Sequence, residues 1–541
     1  MRRAPDALRR AVRESGAEHR LFAWLVLLGV LVPFGVSIGA EWTHRADIAA
    51  ARGDLALIES ATFAASRFER TLGPYSQFGF AHPGPLPFYV LAPFYRLFGM
   101  HAVGLHVGAT FLALLSIGVV ASVFARDSVR SPLRVLLGAS VLLLGFSGLA
   151  RDYVLGIAFT SPWNPTIAAF ALLATAAAAA AARAGDDRYL PVVVFAHALA
   201  SQAHVTTALA ATPMLVLAFR PPTPPRPSIR WLAIALGLVL WSVSIVEVVA
   251  HRGGNLIDVI LFATSDPRRD EGRLDLVLVL RAISWPIDGI ARAFGRNVRL
   301  DPIVLAIWSA ALGTAAFARR ASARSVLDTT TRARLDVSLA GLAGALVVVP
   351  FLRGHSVPYL LFGVGVPATF LHVTLAYSVP ATTSRSSLVG VAALGSSLTV
   401  ALACQVALES RETSLHWFGD QRPAAARIDA IARCLAHHED VAIRWRGPKS
   451  WVFGATAALA TLEEGRVPEL EPSERFRSGE PFDYAWPRES ARPIRWQIET
   501  SASNSVSRSD RRRALDVTSR IETVGLDVSA AARARDCHDA R

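Results

Sequence analysis

The chain has 541 residues, 52% of them hydrophobic, and a mean hydropathy of +0.37. A soluble protein of this length would divide into several domains of mixed polarity, whereas here the apolar residues gather into long runs separated by short basic loops. The formal charge is +13, and among Lys and Arg all but Lys449 are arginine; these arginines sit where a membrane topology puts them, which speaks against nucleic acid as the partner.

Residues 1–20 carry Arg2, Arg3, Arg9, Arg10, Arg13 and Arg20 and read as a basic cytoplasmic N-terminus. The run 21–40 has no charge and can cross a hydrocarbon core about 30 Å thick. It is too long for a plain secretory signal, and many similar runs follow it. Further spans are expected at 103–125, 133–150, 165–182, 189–203, 205–219, 231–250, 303–318, 336–352, 358–378 and 387–408. The expected fold is an all-α polytopic membrane protein with about eleven transmembrane helices. Its transmembrane domain occupies 21–408, with long external loops at 41–100 and 251–302.

With the N-terminus inside, the internal loops hold Arg126, Arg130 and Arg134, then Arg183 and Arg188, then Arg220, Arg226 and Arg230. Arg319, Arg320, Arg324, Arg332 and Arg334 follow, and finally Arg385. Every short internal loop is basic, as the positive-inside rule requires. The expected location is the plasma membrane, multi-pass, with an extracytoplasmic C-terminus. The segment 189–219 reads as two short spans around Ser201-Gln202-Ala203-His204 or as one long helix. One helix would invert everything downstream and put Arg319–Arg334 outside, so the charge rule favours two.

In the loop 251–302, the stretch 274–294 is semi-apolar, with Trp285-Pro286 in its middle, and reads as an interfacial helix. The region 409–500 reads as a small α/β extracytoplasmic domain, with a helix over 429–438, a strand over 441–445 and a further helix near 455–460. From 501 to 541 the chain is polar and charge-rich and reads as a loosely ordered tail. Cys404, Cys434 and Cys537 have no metal-ligand spacing. Cys434 and Cys537 can pair in an oxidising compartment, but unpaired thiols are the simpler reading. There is no internal repeat.

The first external loop is the richest in chemistry. Asp54 and Glu59 fall on one expected helix, with about 140° of turn between them, so they do not form a tight carboxylate pair. Asp54 reads either as a general base or acidic anchor or as the ordinary acid of a helix N-terminus. The stretch from Tyr75 to Tyr89 sets aromatics and His82 among prolines and glycines, which fixes a loop shape. His82 reads as a phosphate ligand or proton shuttle, or as part of an aromatic belt. Beyond this loop stand Arg151-Asp152-Tyr153, Trp163-Asn164-Pro165 and the Gln202/His204 tip. Polar groups at membrane depth are costly, so they face a cavity or each other. Arg252-Gly253-Gly254-Asn255 and Arg353-Gly354-His355 flank later spans, and their basic groups suit an anionic lipid phosphate, or simply end a span.

Taken together, these features resemble the GT-C superfamily of membrane glycosyltransferases, in particular its bacterial mannosyltransferase and aminoarabinose-transferase members. The matching pieces are Gly53-Asp54 after the first span, His82-Pro83-Gly84-Pro85 and Trp163-Asn164-Pro165. The likeness covers about 50–380 loosely, and it is best in the first loop. It implies transfer of a sugar from a polyprenyl-phosphate donor to a glycan, lipid or protein acceptor on the outer face. It also implies Asp54 as the catalytic group. Glu59, Tyr75, His82, Asp152, Asn164, His204, Arg353 and His355 become candidates for substrate or lipid-phosphate binding. Many relatives carry a second acid directly beside the first, but here Leu55 follows Asp54. Some members use a divalent metal, and one isolated aspartate predicts no tightly bound ion. Two other classes fit many spans: a lipid or solute transporter, which would favour repeats and broken helices, and a non-catalytic scaffold for envelope assembly.

Overall fold

The computed structural model describes residues 54–76, 80–128, 132–149, 159–250, 253–265, 275–294, 300–322, 329–352 and 358–377, with isolated positions between 31 and 39. In the C-terminal region it describes 430–434, 436, 441–446, 469–471, 494–502, 515–523 and Cys537. The expected span 387–408 and most of 21–40 lie outside these residues, as do Asp152, Arg353 and His355.

In chain order the helices are α1 (Asp54–Ser66), α2 (Leu86–Leu97), α3 (Ala102–Ser128), α4 (Pro132–Leu149), α5 (Asn164–Arg183), α6 (Leu190–Ala203) and α7 (Val205–Ala218). There follow α8 (Pro227–Ala250), α9 (Gly254–Ser265), α10 (Leu276–Ile283), α11 (Trp285–Phe294), α12 (Pro302–Ser322), α13 (Thr329–Leu346) and α14 (Phe362–Tyr377). The chain forms two compact units. One comprises 1–43, 109–242 and 263–411; the other comprises 44–108, 243–262 and 412–541. The loop expected at 251–302 is therefore divided, with most of α9 in the second unit and α10–α11 in the first.

The first unit is a helical bundle. Among the described residues, five helices are long and apolar enough to cross a membrane: Ala102–Phe124, Asn164–Arg183, Pro227–Ala250, Pro302–Ala321 and Tyr359–Tyr377. This makes the chain a multi-pass membrane protein. Helix α5 is buried from Asn164 to Ala182. Its alanines are strong helix formers, and their short side chains let neighbouring helices approach closely. By contrast, α8 and α12 turn Leu238, Val239, Ile303 and Ile307 outward. A soluble protein would not leave such surface exposed; in a bilayer it meets lipid.

The segment 189–219 forms a helical hairpin. Its turn is His204, at φ −154° and ψ 123°, where the chain leaves helical geometry for one residue. No glycine or proline makes this break. Side chains stabilise it by adding donors to the carbonyls around the break. The Thr207 hydroxyl donates to Ala200 O at 2.7 Å and to His204 O at 2.7 Å, and Asn164 Nδ2 donates to Ala203 O at 3.1 Å. Two pairs show that the chain doubles back. His197 Nε2 lies 3.3 Å from Thr212 Oγ1 across the hairpin. At its feet, Arg226 donates to Asp187 through Nε and Nη2, each at 2.9 Å.

The stretch 274–294 departs from the interfacial helix expected of it. It is two helices, α10 and α11, joined at Ser284, and its apolar side packs on protein. Val279, Ala282 and Trp285 are buried. The Trp285 ring lies so close to Gly365 in α14 that a Cβ there would sit 2.1 Å from it. A strong apolar face is equally suited to lipid or to a helix bundle, and Gly365 supplies the recess that decides for the bundle.

In the second unit, the C-terminal residues carry a four-stranded sheet of β1 (Val441–Arg446), β2 (Glu469–Glu471), β3 (Ile494–Ala502) and β4 (Leu515–Thr523), in the order β2-β1-β3-β4. β1 runs parallel to β2 and β3, and β3 pairs antiparallel with β4, with Trp496 opposite Ile521. β4 lies within the region expected as a loose tail, built on the alternation Leu515, Val517, Ser519, Ile521. The expectation of unpaired thiols is corrected, because Cys434 and Cys537 form a disulfide across 103 residues.

Candidate functional site

The expected site residues that are described fall into two groups, one in each unit. In the second unit, α1 begins at Asp54, which is exposed in the first turn, where the helix dipole favours an acid. Glu59 lies on another face and is buried. Both carboxylates are therefore on one helix but in different surroundings.

The loop after α1 is built around a buried cation. Arg70 donates from Nε to Leu72 O at 2.8 Å and from Nη2 to Gly73 O at 2.9 Å. Its guanidinium stands 5.5 Å from the centre of the Phe88 ring, and the Tyr89 hydroxyl donates to Arg70 O at 2.7 Å. Burial lowers Arg70 to about 10, which still leaves it charged at neutral pH, and burial raises the Tyr89 phenol above its usual range. The carbonyls that Arg70 holds lead into a narrow hairpin. His82 N donates to Pro74 O at 2.7 Å, Ser76 N donates to Phe80 O at 3.0 Å, and Tyr75 pairs with Ala81 in an antiparallel bridge. This brings Tyr75 and His82 onto one structure. At Gly73 the strands run so close that a Cβ would sit 2.1 Å from His82 O.

A distant residue anchors the hairpin. Asn255, at the start of α9, accepts from Ala81 N at 2.7 Å, and Phe80 packs on Phe262 at 5.1 Å. His82 is buried, with the Phe80 ring edge-on to it at 5.8 Å. Glu247, near the end of α8 in the same unit, is also buried. An acid in an apolar helix is a candidate functional group.

In the first unit, Asn164 and His204 come together. Asn164 opens α5 and reaches Ala203 O, the residue before His204. His204 Nδ1 lies 2.8 Å from Thr206 Oγ1. Its ring stands edge-on to Tyr359 at 5.9 Å, and Trp163 meets Tyr359 at 5.1 Å. Gln202 is turned elsewhere and donates to Leu240 O at 2.8 Å.

Sequence reasoning did not single out Arg70, Asn255, Glu247 or Tyr359 as site residues. Glu247 carried a readable signal, a lone acid in an apolar run. Asn255 carried little, because its partner is 174 residues away. Among the described residues, no group of three His, Cys, Asp or Glu side chains converges as a metal ion needs.

No family model and no curated protein sequence matches the chain. Among solved structures, the chain is similar to ArnT from Cupriavidus metallidurans in the apo state, with a TM-score of 0.50 and 13% sequence identity. The match covers 88% of this chain and 93% of that one. A likeness at that identity concerns the fold alone: the chain has a membrane fold similar to that of ArnT.

Proposed function

We propose that the protein is a membrane glycosyltransferase that moves a sugar from a polyprenyl-phosphate donor to an extracytoplasmic cell-envelope acceptor. One observation carries this reading: a fold similar to ArnT over nearly the whole length of both chains. The construction of the first loop supports it. An enzyme needs its polar groups held still before substrate arrives, and the His82 hairpin is fixed by Arg70, Gly73 and Asn255.

In this reading Asp54, exposed on α1, orients or deprotonates the acceptor hydroxyl. The leaving lipid phosphate gains charge in the transition state, and fixed cationic or hydrogen-bonding groups beside it lower the barrier. His82 is a candidate within the described residues; Arg353 and His355 are candidates from the sequence. The arginine pattern supports an outside location for this chemistry, and so does the Cys434–Cys537 pair, since disulfides persist in oxidising compartments.

The test is label transfer from polyprenyl-phosphate sugars in membranes containing wild type or Asp54→Asn. The expected result is loss of transfer at unchanged protein level, by at least about 100-fold, as for removal of a general base. Full activity in the variant would remove Asp54 from the mechanism.

A further inference from the structure

At the end of the first unit expected to face the cytoplasm, several arginines gather on one carboxylate. Arg320, at the end of α12, donates from Nε to Asp336 Oδ1 at 2.6 Å. Arg183, at the end of α5, brings Nη2 to 3.9 Å from Asp336 Oδ2 and donates from Nη1 to Arg220 O. The Asp336 side chain is only 10% exposed, while that of Arg320 is 45% exposed. Arg332 lies one turn before Asp336 on the same face of α13 and is exposed.

The ion pairs at the feet of the α6–α7 hairpin are built differently. There Asp186 holds Arg188 and Asp187 holds Arg226, one close arginine to each acid. Asp336 stands between arginines of two other helices, with a third on its own face. A carboxylate accepts about four hydrogen bonds, whereas three guanidiniums bring about fifteen donors. One acid can therefore orient these cations without saturating them. The sequence has the same imbalance: segments 183–188, 220–230 and 319–336 hold ten arginines and four aspartates.

The neighbouring surface says which anion suits the cluster. Phe317, one turn before Arg320 on α12, is exposed, and so are Trp231 and Leu232 beside Arg230 at the start of α8. Exposed rings at the ends of membrane helices mark headgroup depth. A soluble anion would use the guanidiniums and leave this apolar surface bare. A phospholipid brings a phosphate for the first and acyl chains for the second.

We propose that Arg320 and Arg332, set by Asp336, form a site for the headgroup phosphate of an anionic phospholipid, whose acyl chains lie along the outward apolar face of α12. This goes beyond the transferase reading, and neither depends on the other.

The test uses the full-length protein in neutral detergent, titrated with phosphatidylglycerol or phosphatidylcholine, with bound lipid counted by native mass spectrometry. An arginine beside an anionic headgroup changes affinity about fivefold, so phosphatidylglycerol should bind at least about tenfold more tightly than phosphatidylcholine. Arg332→Gln should lose about fivefold of that affinity, and the double variant Arg320→Gln, Arg332→Gln more. Arg188→Gln, an exposed arginine paired elsewhere at the same end, should bind as wild type. Thermal melts check folding: without lipid, Arg332→Gln should melt like wild type, and it should gain less from added phosphatidylglycerol. Equal binding of the two lipids would overturn the proposal. So would unchanged binding in the double variant, or an equal loss in Arg188→Gln, which would leave only general charge. Displacement of phosphatidylglycerol by inorganic phosphate at matched ionic strength would also overturn it, since the site would then serve a soluble anion.

Discussion

Arg70 and Arg334 are buried arginines with different tasks. Arg70 spends its donors on two carbonyls of its own loop, and the hairpin that carries His82 grows from them. Gly73→Ala would drive a methyl into His82 O, 2.1 Å away, and both are backbone-bound, so the hairpin must open. The expected outcome is a folded protein with sharply reduced transfer, checked by activity beside a thermal melt. Arg334 instead lies under rings, 4.2 Å from the Phe124 centre and 5.6 Å from Tyr377. A desolvated cation–π contact contributes about 2 kcal/mol. Phe124→Leu should therefore destabilise the bundle, while Arg334→Met removes the charge that needed the ring. A double-mutant cycle on thermal midpoints should show the pair losing less than the sum of the singles. Additive losses would mean the rings do not hold the cation. Neither role was legible in the sequence, where Arg334 reads as one more basic residue of an internal loop.

At the scale of elements, the α6–α7 hairpin shows what charge patterning can and cannot give. The arginines around 189–219 required the chain to return to its starting side, and Asp187 and Arg226 do meet at the feet. The residue that makes the turn was not readable, because His204 has no turn preference; the caps from Thr207 and Asn164 come from tertiary packing. The Arg226 hydrogen bonds hold Asp187 below the usual carboxylate range. A depressed carboxylate stabilises the fold above its unfolded value, about 3.9, and the effect is lost as pH falls through the lower folded value. Wild type should therefore lose more thermal stability than Asp187→Asn between pH 5 and pH 3 (approximate bounds from that same value). Parallel losses would show that the contact contributes nothing. α10–α11 and β4 mark the opposite outcome. The apolar face of α10–α11 was visible, but such a face does not say whether it meets lipid or protein, while the polar composition of 501–541 hid the strand alternation of 515–523.

For the whole molecule, two observations bear on orientation and activity. The Cys434–Cys537 bond closes a loop of 103 residues, worth roughly 4–5 kcal/mol in the chain-entropy account. After mild reduction of right-side-out vesicles, a membrane-impermeant maleimide should label both thiols without permeabilisation. Labelling only after permeabilisation would place the C-terminal region inside. The membrane class was readable from the long apolar runs and the basic loops between them, and five long apolar helices among the described residues agree with it. The chemistry is decided by following the donor. Purified protein in proteoliposomes would be given a polyprenyl-phosphate sugar labelled in the sugar, together with an envelope extract as acceptor. The account predicts that label leaves the lipid for the acceptor and that free polyprenyl phosphate appears in equal amount. Label that crosses the bilayer still attached to its lipid would contradict it and identify a transporter.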